Sequence, residues 1–179
     1  SALQSGVCIK MEEGQEDAAE LRSAPSLTID SGTFSSEIGD TIKMFGGTMT
    51  VESGTFTKTG CKKDTENDQI DNQTAIISLQ GGTLDVNGMK SGSDVAPVYS
   101  VTMTAGGDAN GGTLENVFGI RAVGGGKITT EGASFDIYGD YSAGVLSYDG
   151  TINLGSDTLI NVEQSDNTTV LTSAGVSSE

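Results

Sequence analysis

The chain has 179 residues, enough for one domain with a sizeable core or two small ones. It carries 26 glycines, two prolines and no histidine or tryptophan, and 25 acidic against 9 basic residues give a formal net charge of -16. Without histidine, Ser-His-Asp and Cys-His catalysis are excluded; the charge repels nucleic acid and anionic membranes; no apolar run reaches membrane-spanning length.

Good helix formers are thin outside residues 11–22, while Thr, Ser, Asn and Asp are abundant. At the start, Val7-Cys-Ile-Lys-Met11 echoes Thr41-Ile-Lys-Met44 and reads as a strand. Glu12–Leu21 suits one or two helical turns, which Pro25 ends. Residues 1–26 therefore read as an N-terminal cap or irregular segment, and residues 27–179 as the main body.

Internal repeats decide the architecture. Leu27-Thr-Ile-Asp-Ser-Gly-Thr-Phe34 and Met49-Thr-Val-Glu-Ser-Gly-Thr-Phe56 share the pattern apolar-x-apolar-x-Ser-Gly-Thr-Phe, 22 residues apart. Alternation puts Leu27 with Ile29, and Met49 with Val51, on one face, and the phenylalanine turns inward after the Ser-Gly bend. Leu84 and Val86 keep the first half, with Met89 in place of the aromatic residue. Ile128, Thr130 and Phe135 keep the whole pattern; so do Ile152, Leu154 and Leu159, and a further 24 residues reach Val176. A second apolar segment precedes several of these strands: Thr41–Gly47, Ala75–Gly82, Gly119–Gly126, Ala143–Gly150 and Thr168–Gly175.

Each unit thus holds about three short strands with glycine corners. The expected fold is all-β, a single-stranded parallel β-helix (solenoid), right-handed by first choice, of about six coils of 22–25 residues. Stacking sets Leu27 over Met49, Phe34 over Phe56 and Ile128 over Ile152. An antiparallel sandwich fits the alternation but not the constant coil length. Residues 57–74 form a polar insertion and read as an external loop. In 95–118, Val101 and Met103 read as a strand and Gly106–Gly112 as a loop, and the coil they belong to stays unplaced.

Candidate chemistry is sparse. Asp64, Glu66, Asp68 and Asp71, with Asn67 and Asn72, offer calcium oxygen ligands in the insertion without the EF-hand pattern, and a solvated acidic loop is the plainer reading. Tyr138, Tyr141 and Tyr148, with Tyr99 nearby and Asp136, Asp140 and Asp149 among them, suit a sugar face; the plainer reading is that Tyr141 and Tyr148 cover corner glycines. A lyase would draw on Arg121, Lys127, Asp136 and Asp140, which nothing in the sequence brings together. Cys8 and Cys61 either pair or stay free. Asn72-Gln-Thr74 and Asn167-Thr-Thr169 match the glycosylation pattern, as chance also allows.

Gly119-Ile-Arg-Ala-Val-Gly-Gly-Gly-Lys-Ile-Thr-Thr-Glu-Gly-Ala-Ser-Phe135 and Ser142-Ala-Gly-Val-Leu-Ser-Tyr-Asp-Gly-Thr-Ile-Asn-Leu154 resemble the β-helical regions of bacterial surface proteins, autotransporter-like passengers and pectate-lyase-like adhesins. The resemblance spans about residues 27–176 and implies export and display at a cell surface. It carries over no catalytic residue, because such rods serve adhesins, stalks and polysaccharide enzymes alike. Ser1–Lys10 lacks a signal-peptide pattern, and the chain starts without Met and ends at Val176-Ser-Ser-Glu179, so it reads as a piece of a longer protein with further coils or domains. The expected function is that of a non-catalytic adhesin or rigid display rod, binding a glycan or a host surface protein and not inserting in the membrane. The alternatives are a carbohydrate-binding module and a β-helical polysaccharide lyase or hydrolase.

Overall fold

The computed structural model describes residues 9–12, 24–37, 39–59, 74–106, 108–109, 112–113, 117–139, 142–163 and 174–178. Among them the regular elements are all strands. The chain is all-β and rests on three parallel sheets. The first sheet runs Ile9–Glu12, Ile42–Phe45, Thr74–Gln80, Val117–Val123, Ala143–Ser147 and Ala174–Ser178. The second runs Ser26–Ile29, Thr48–Val51, Thr83–Asn87, Lys127–Glu131 and Thr151–Leu154. The third runs Thr33–Ser36, Gly54–Lys58, Val101–Gly106, Ala133–Tyr138 and Leu159–Glu163. The chain visits first, second and third sheet in turn, and each strand pairs with its counterpart one round away. The two antiparallel ladders, Lys90–Ser91 with Val98–Tyr99 and Asp108–Ala109 with Gly112–Thr113, are local hairpins.

Register aligns like with like, because a slip of one residue would turn every apolar side chain to the other face. In the first sheet Ile9, Ile42, Ile77, Ile120, Val145 and Val176 form one column. In the second, Leu27, Met49, Leu84, Ile128 and Ile152 align, beside Ile29, Val51, Val86, Thr130 and Leu154. In the third, Phe34, Phe56, Met103, Phe135 and Ile160 align. Ile42, Ile77, Ile120 and Val145, Met49, Leu84 and Ile128, and Phe56, Met103 and Phe135 from these columns meet in one core cluster drawn from all three sheets. The alternate positions face outward: Thr48, Thr83 and Lys127, and Thr55 and Thr102. β-branched residues suit these extended, half-solvated sites.

The corner from first to second sheet shows why glycine recurs. Gly46 and Gly47 have φ of 75° and 80°, and Gly81 and Gly82 repeat both values. Side chains resist this left-handed region. In a later round Asp149 takes it at φ 56°, and Asp tolerates it better than most residues.

Three sequence expectations need correction. Met89 does not replace the aromatic residue: it is 74% exposed, and Met103 fills the column instead, after a 13-residue detour through 88–100. Leu159 faces outward beside Ser134, and Ile160 takes the inner place opposite Phe135. Four residues separate Leu154 from Leu159, against three between their partners Thr130 and Ser134 one round earlier, and the extra residue shifts that register by one. Val176 belongs to the first sheet, not the second, and pairs with Val145. Ala174-Gly-Val176 repeats Ala143-Gly-Val145, and this repetition overrides the spacing from Ile152.

One inner position is polar without a partner among the described residues. Ser147 follows Met44, Leu79 and Ala122 along an inner column, is 1% exposed, and its hydroxyl makes no hydrogen bond. Ser147→Ala is therefore expected to stabilise the fold by about 1 kcal/mol, as read by urea unfolding, because it removes a stranded donor.

Candidate functional site

The largest departure from the repeat among the described residues is the detour between Thr83–Asn87 and Val101–Gly106. Met89 and Ser100 close its base: the Ser100 N–H donates to the Met89 carbonyl at 2.8 Å, and the Met89 N–H donates to Ser100 Oγ at 2.7 Å. Ser100 Oγ also donates to the Glu52 carbonyl at 3.0 Å, and its own carbonyl accepts from the Gly54 N–H at 2.8 Å. On the other side the Gly88 N–H donates to the Glu131 carbonyl at 2.9 Å. The hairpin is thereby tied to the rounds before and after its own. Lys90 pairs across from Tyr99 and Ser91 from Val98. Gly92, at φ 88°, opens the tip, and the Ala96 N–H donates to the Ser93 carbonyl at 3.1 Å to turn the chain before Pro97.

Pairing sorts the side chains by face. Lys90 and Tyr99 share one face, and Lys90 Nζ reaches Asp94 Oδ1 at 3.1 Å and Asp157 Oδ1 at 3.9 Å. The Asp94 hydrogen bond holds the Lys90 ammonium above its ordinary range. Met89 and Val98 share the opposite face and are 74% and 64% exposed; Val95 at the tip is 95% exposed. The carboxylates of Glu52, Asp94 and Glu131 are exposed around this ridge.

The tyrosines are spread out. Tyr138 ends its third-sheet strand, whereas Tyr148 follows Ala143–Ser147 at the far end of the next first-sheet strand, and Tyr99 lies in the hairpin. Tyr138 is 40% exposed and shares an outward face with Asp136, whose Oδ1 accepts from Asn161 Nδ2 at 2.9 Å. Tyr148 packs on a small cluster of Ala75, Phe118, Ala143 and Leu146, with the Arg121 guanidinium 5.9 Å from its ring centre. Arg121, Lys127 and Asp136 stand on the first, second and third sheets respectively, so they do not converge. Asp140 and Tyr141 lie outside the described residues, as do Asp64, Glu66, Asp68, Asp71, Cys8, Cys61 and the Glu12–Leu21 segment beyond Glu12. Among the described residues no cluster of three or more metal-ligating side chains occurs.

A buried polar junction escaped the sequence reading. Lys58 lies in an inner column between Ser36 and Ala105 and is 1% exposed. Its ammonium donates to the Gly39 carbonyl at 2.7 Å. Beside it the Ser36 and Thr41 hydroxyls lie 2.7 Å apart, and the Ala75 N–H donates to Asp40 Oδ1 at 2.8 Å. Burial pushes the Asp40 carboxyl above its ordinary 3.8; the Ala75 N–H and the charges of Lys43, Lys58 and Arg121 oppose that rise. A raised folded-state value means that this group's contribution to stability falls as pH climbs from 3.8 through the folded value. Asp40→Asn keeps an acceptor for Ala75 but does not titrate. Urea unfolding between pH 3 and 6 is expected to show wild type losing ground to Asp40→Asn as pH rises; the opposite slope would contradict the burial argument.

No protein-family model, curated protein or solved structure matches this chain.

Proposed function

We propose that the three sheets are the faces of a single-stranded parallel β-helix, right-handed and of about six coils, that belongs to an exported bacterial surface protein and acts there as a non-catalytic adhesin or display rod. The cyclic visiting order and the like-with-like columns support the β-helix, and right-handed crossovers are the rule for parallel strands. At about 4.8 Å per coil, such a rod is roughly 25–30 Å long. The observation that carries the display function is the hairpin of Met89–Ser100, fastened at its base and apolar at its tip.

A second reading, glycan binding, draws on the outward group of Asp136, Tyr138 and Asn161, in which an exposed ring stands beside hydroxyl-binding side chains. The test is an array of glycans and extracellular-matrix proteins, probed with the chain with and without calcium, with the length of bound polysaccharides followed. The display reading expects binding to a printed protein without shortening of any polysaccharide. Glycan binding that Tyr138→Ala abolishes would favour the second reading, calcium dependence would point to the acidic insertion, and shortened polysaccharide would overturn both in favour of a lyase or hydrolase.

A further inference from the structure

We propose that the Met89–Ser100 hairpin is a docking element for a protein surface that presents an apolar pocket ringed by lysine and arginine. The inference rests on the display-rod reading and names the partner of that site. Most apolar side chains of the repeat lie in the core, and its exposed leucines, Leu154 and Leu159, stand at 41% and 37%; the detour sends Met89, Val95 and Val98 further into solvent, at 74%, 95% and 64% exposure. Met89 and Val98 are diagonal neighbours on one face, because Val98 pairs with Ser91 and Met89 with Ser100. Contiguous exposed apolar surface with a polar rim marks an interaction site.

The rim fixes the partner's charge. Glu52 and Glu131 flank the hairpin base, whereas Asp94 and Asp157 engage Lys90 on the opposite face. The whole chain carries -16, so its field draws a cationic surface and repels an acidic one. Presentation is rigid: the base is bonded to Glu52 and Gly54 on one side and to Glu131 on the other, and Gly88 and Gly132 meet backbone to backbone with no room for a side chain. A tip held in this way loses little freedom on binding.

The probe is a fluorescent peptide of alternating leucine and lysine, titrated by anisotropy against the full chain, with alternating serine–lysine and leucine–glutamate peptides for comparison. The expected result is binding of the leucine–lysine peptide alone. The double variant Val95→Ser, Val98→Ser should weaken it at least tenfold. The variant Glu52→Gln, Glu131→Gln should weaken it and flatten its salt dependence. Glu37→Gln with Asp149→Asn, carboxylates at other corners, should leave it unchanged. Equal binding of the serine–lysine peptide, or indifference to the Val95 and Val98 changes, would reduce the effect to generic attraction by an acidic protein and overturn the proposal. All substituted residues are exposed, so circular dichroism should match wild type. Failure of the peptide experiment removes the hairpin's role alone, whereas polysaccharide cleavage on the array removes the display reading itself.

Discussion

Phe56→Ala is expected to cost the fold about 3–5 kcal/mol, the range for emptying a buried aromatic site. Phe56 is fully buried in the third sheet's inner column, between Phe34 and Met103. Its ring stacks on that of Phe34 with centroids 5.0 Å apart and planes 11° off parallel, an arrangement that adds to area burial. The site has no means of collapse. Gly32 and Gly54 lie against the two rings, and a Cβ on Gly54 would already stand 3.1 Å from Phe56 Cε2, so these glycines have no side chain to swing into the void. The loss also reaches Phe34, which is only half-buried and depends on Phe56 for its cover. Urea unfolding of the two chains measures the difference. A cost below about 1 kcal/mol would place Phe56 outside a packed core. Val95→Ala, at an almost fully exposed site, is expected to change stability by less than about 0.5 kcal/mol.

Gly88→Val is expected to be nearly as damaging, at about 3 kcal/mol, through overpacking and not through loss of volume. A Cβ at Gly88 runs into the Gly132 carbonyl, and a Cβ at Gly132 runs into the Gly88 carbonyl group. Backbone cannot rotate aside as a side chain does. Relief requires the hairpin base to part from the next round, which breaks the bond from the Gly88 N–H to Glu131. Amide hydrogen exchange should show this directly: faster exchange at Gly88 and Ser100 together with the global loss. A variant whose amides at these two positions keep their protection would show that the two rounds are not locked at this point.

Much of the architecture is legible in the sequence because identical corners enforce identical strands. The Leu27–Phe34 and Met49–Phe56 segments pair as their repetition predicts, and Ile9–Met11 of the segment read as an echo of Thr41–Met44 lies in the strand Ile9–Glu12, with Ile9 paired to Ile42. The misplacements share one cause. Spacing counts residues, whereas register is set by what fits the core, so each corner of unusual length displaces the count. The detour through 88–100 hid Met103, the four-residue corner before Leu159 hid Ile160, and counting on from Ile152 hid the pairing of Val176 with Val145. A sharper signal existed: Thr102-Met-Thr104 reproduces Thr55-Phe-Thr57 and would have placed the third-sheet strand. The candidate site was less legible. Met89, Val95 and Val98 look like core residues in any hydropathy reading, and only the hairpin pairing reveals them as exposed. Lys58 is the converse, a charged residue that the column carries inward and the Gly39 carbonyl accommodates.

The pairing of each round with the next also bears on mechanical load. In the β-helix proposed above, backbone hydrogen bonds between rounds run along the stacking direction, so tension drawing the two end rounds apart would act on them in series. The weakest round should then peel away before its neighbours bear more strain. A round such as that from Leu27 to Met49 releases about 22 residues, or roughly 75 Å of extended chain. Pulled in an optical trap, the molecule should lengthen in a staircase of such steps, with longer treads where a round carries a detour, and would yield gradually under shear that a single cooperative core would resist until it ruptured.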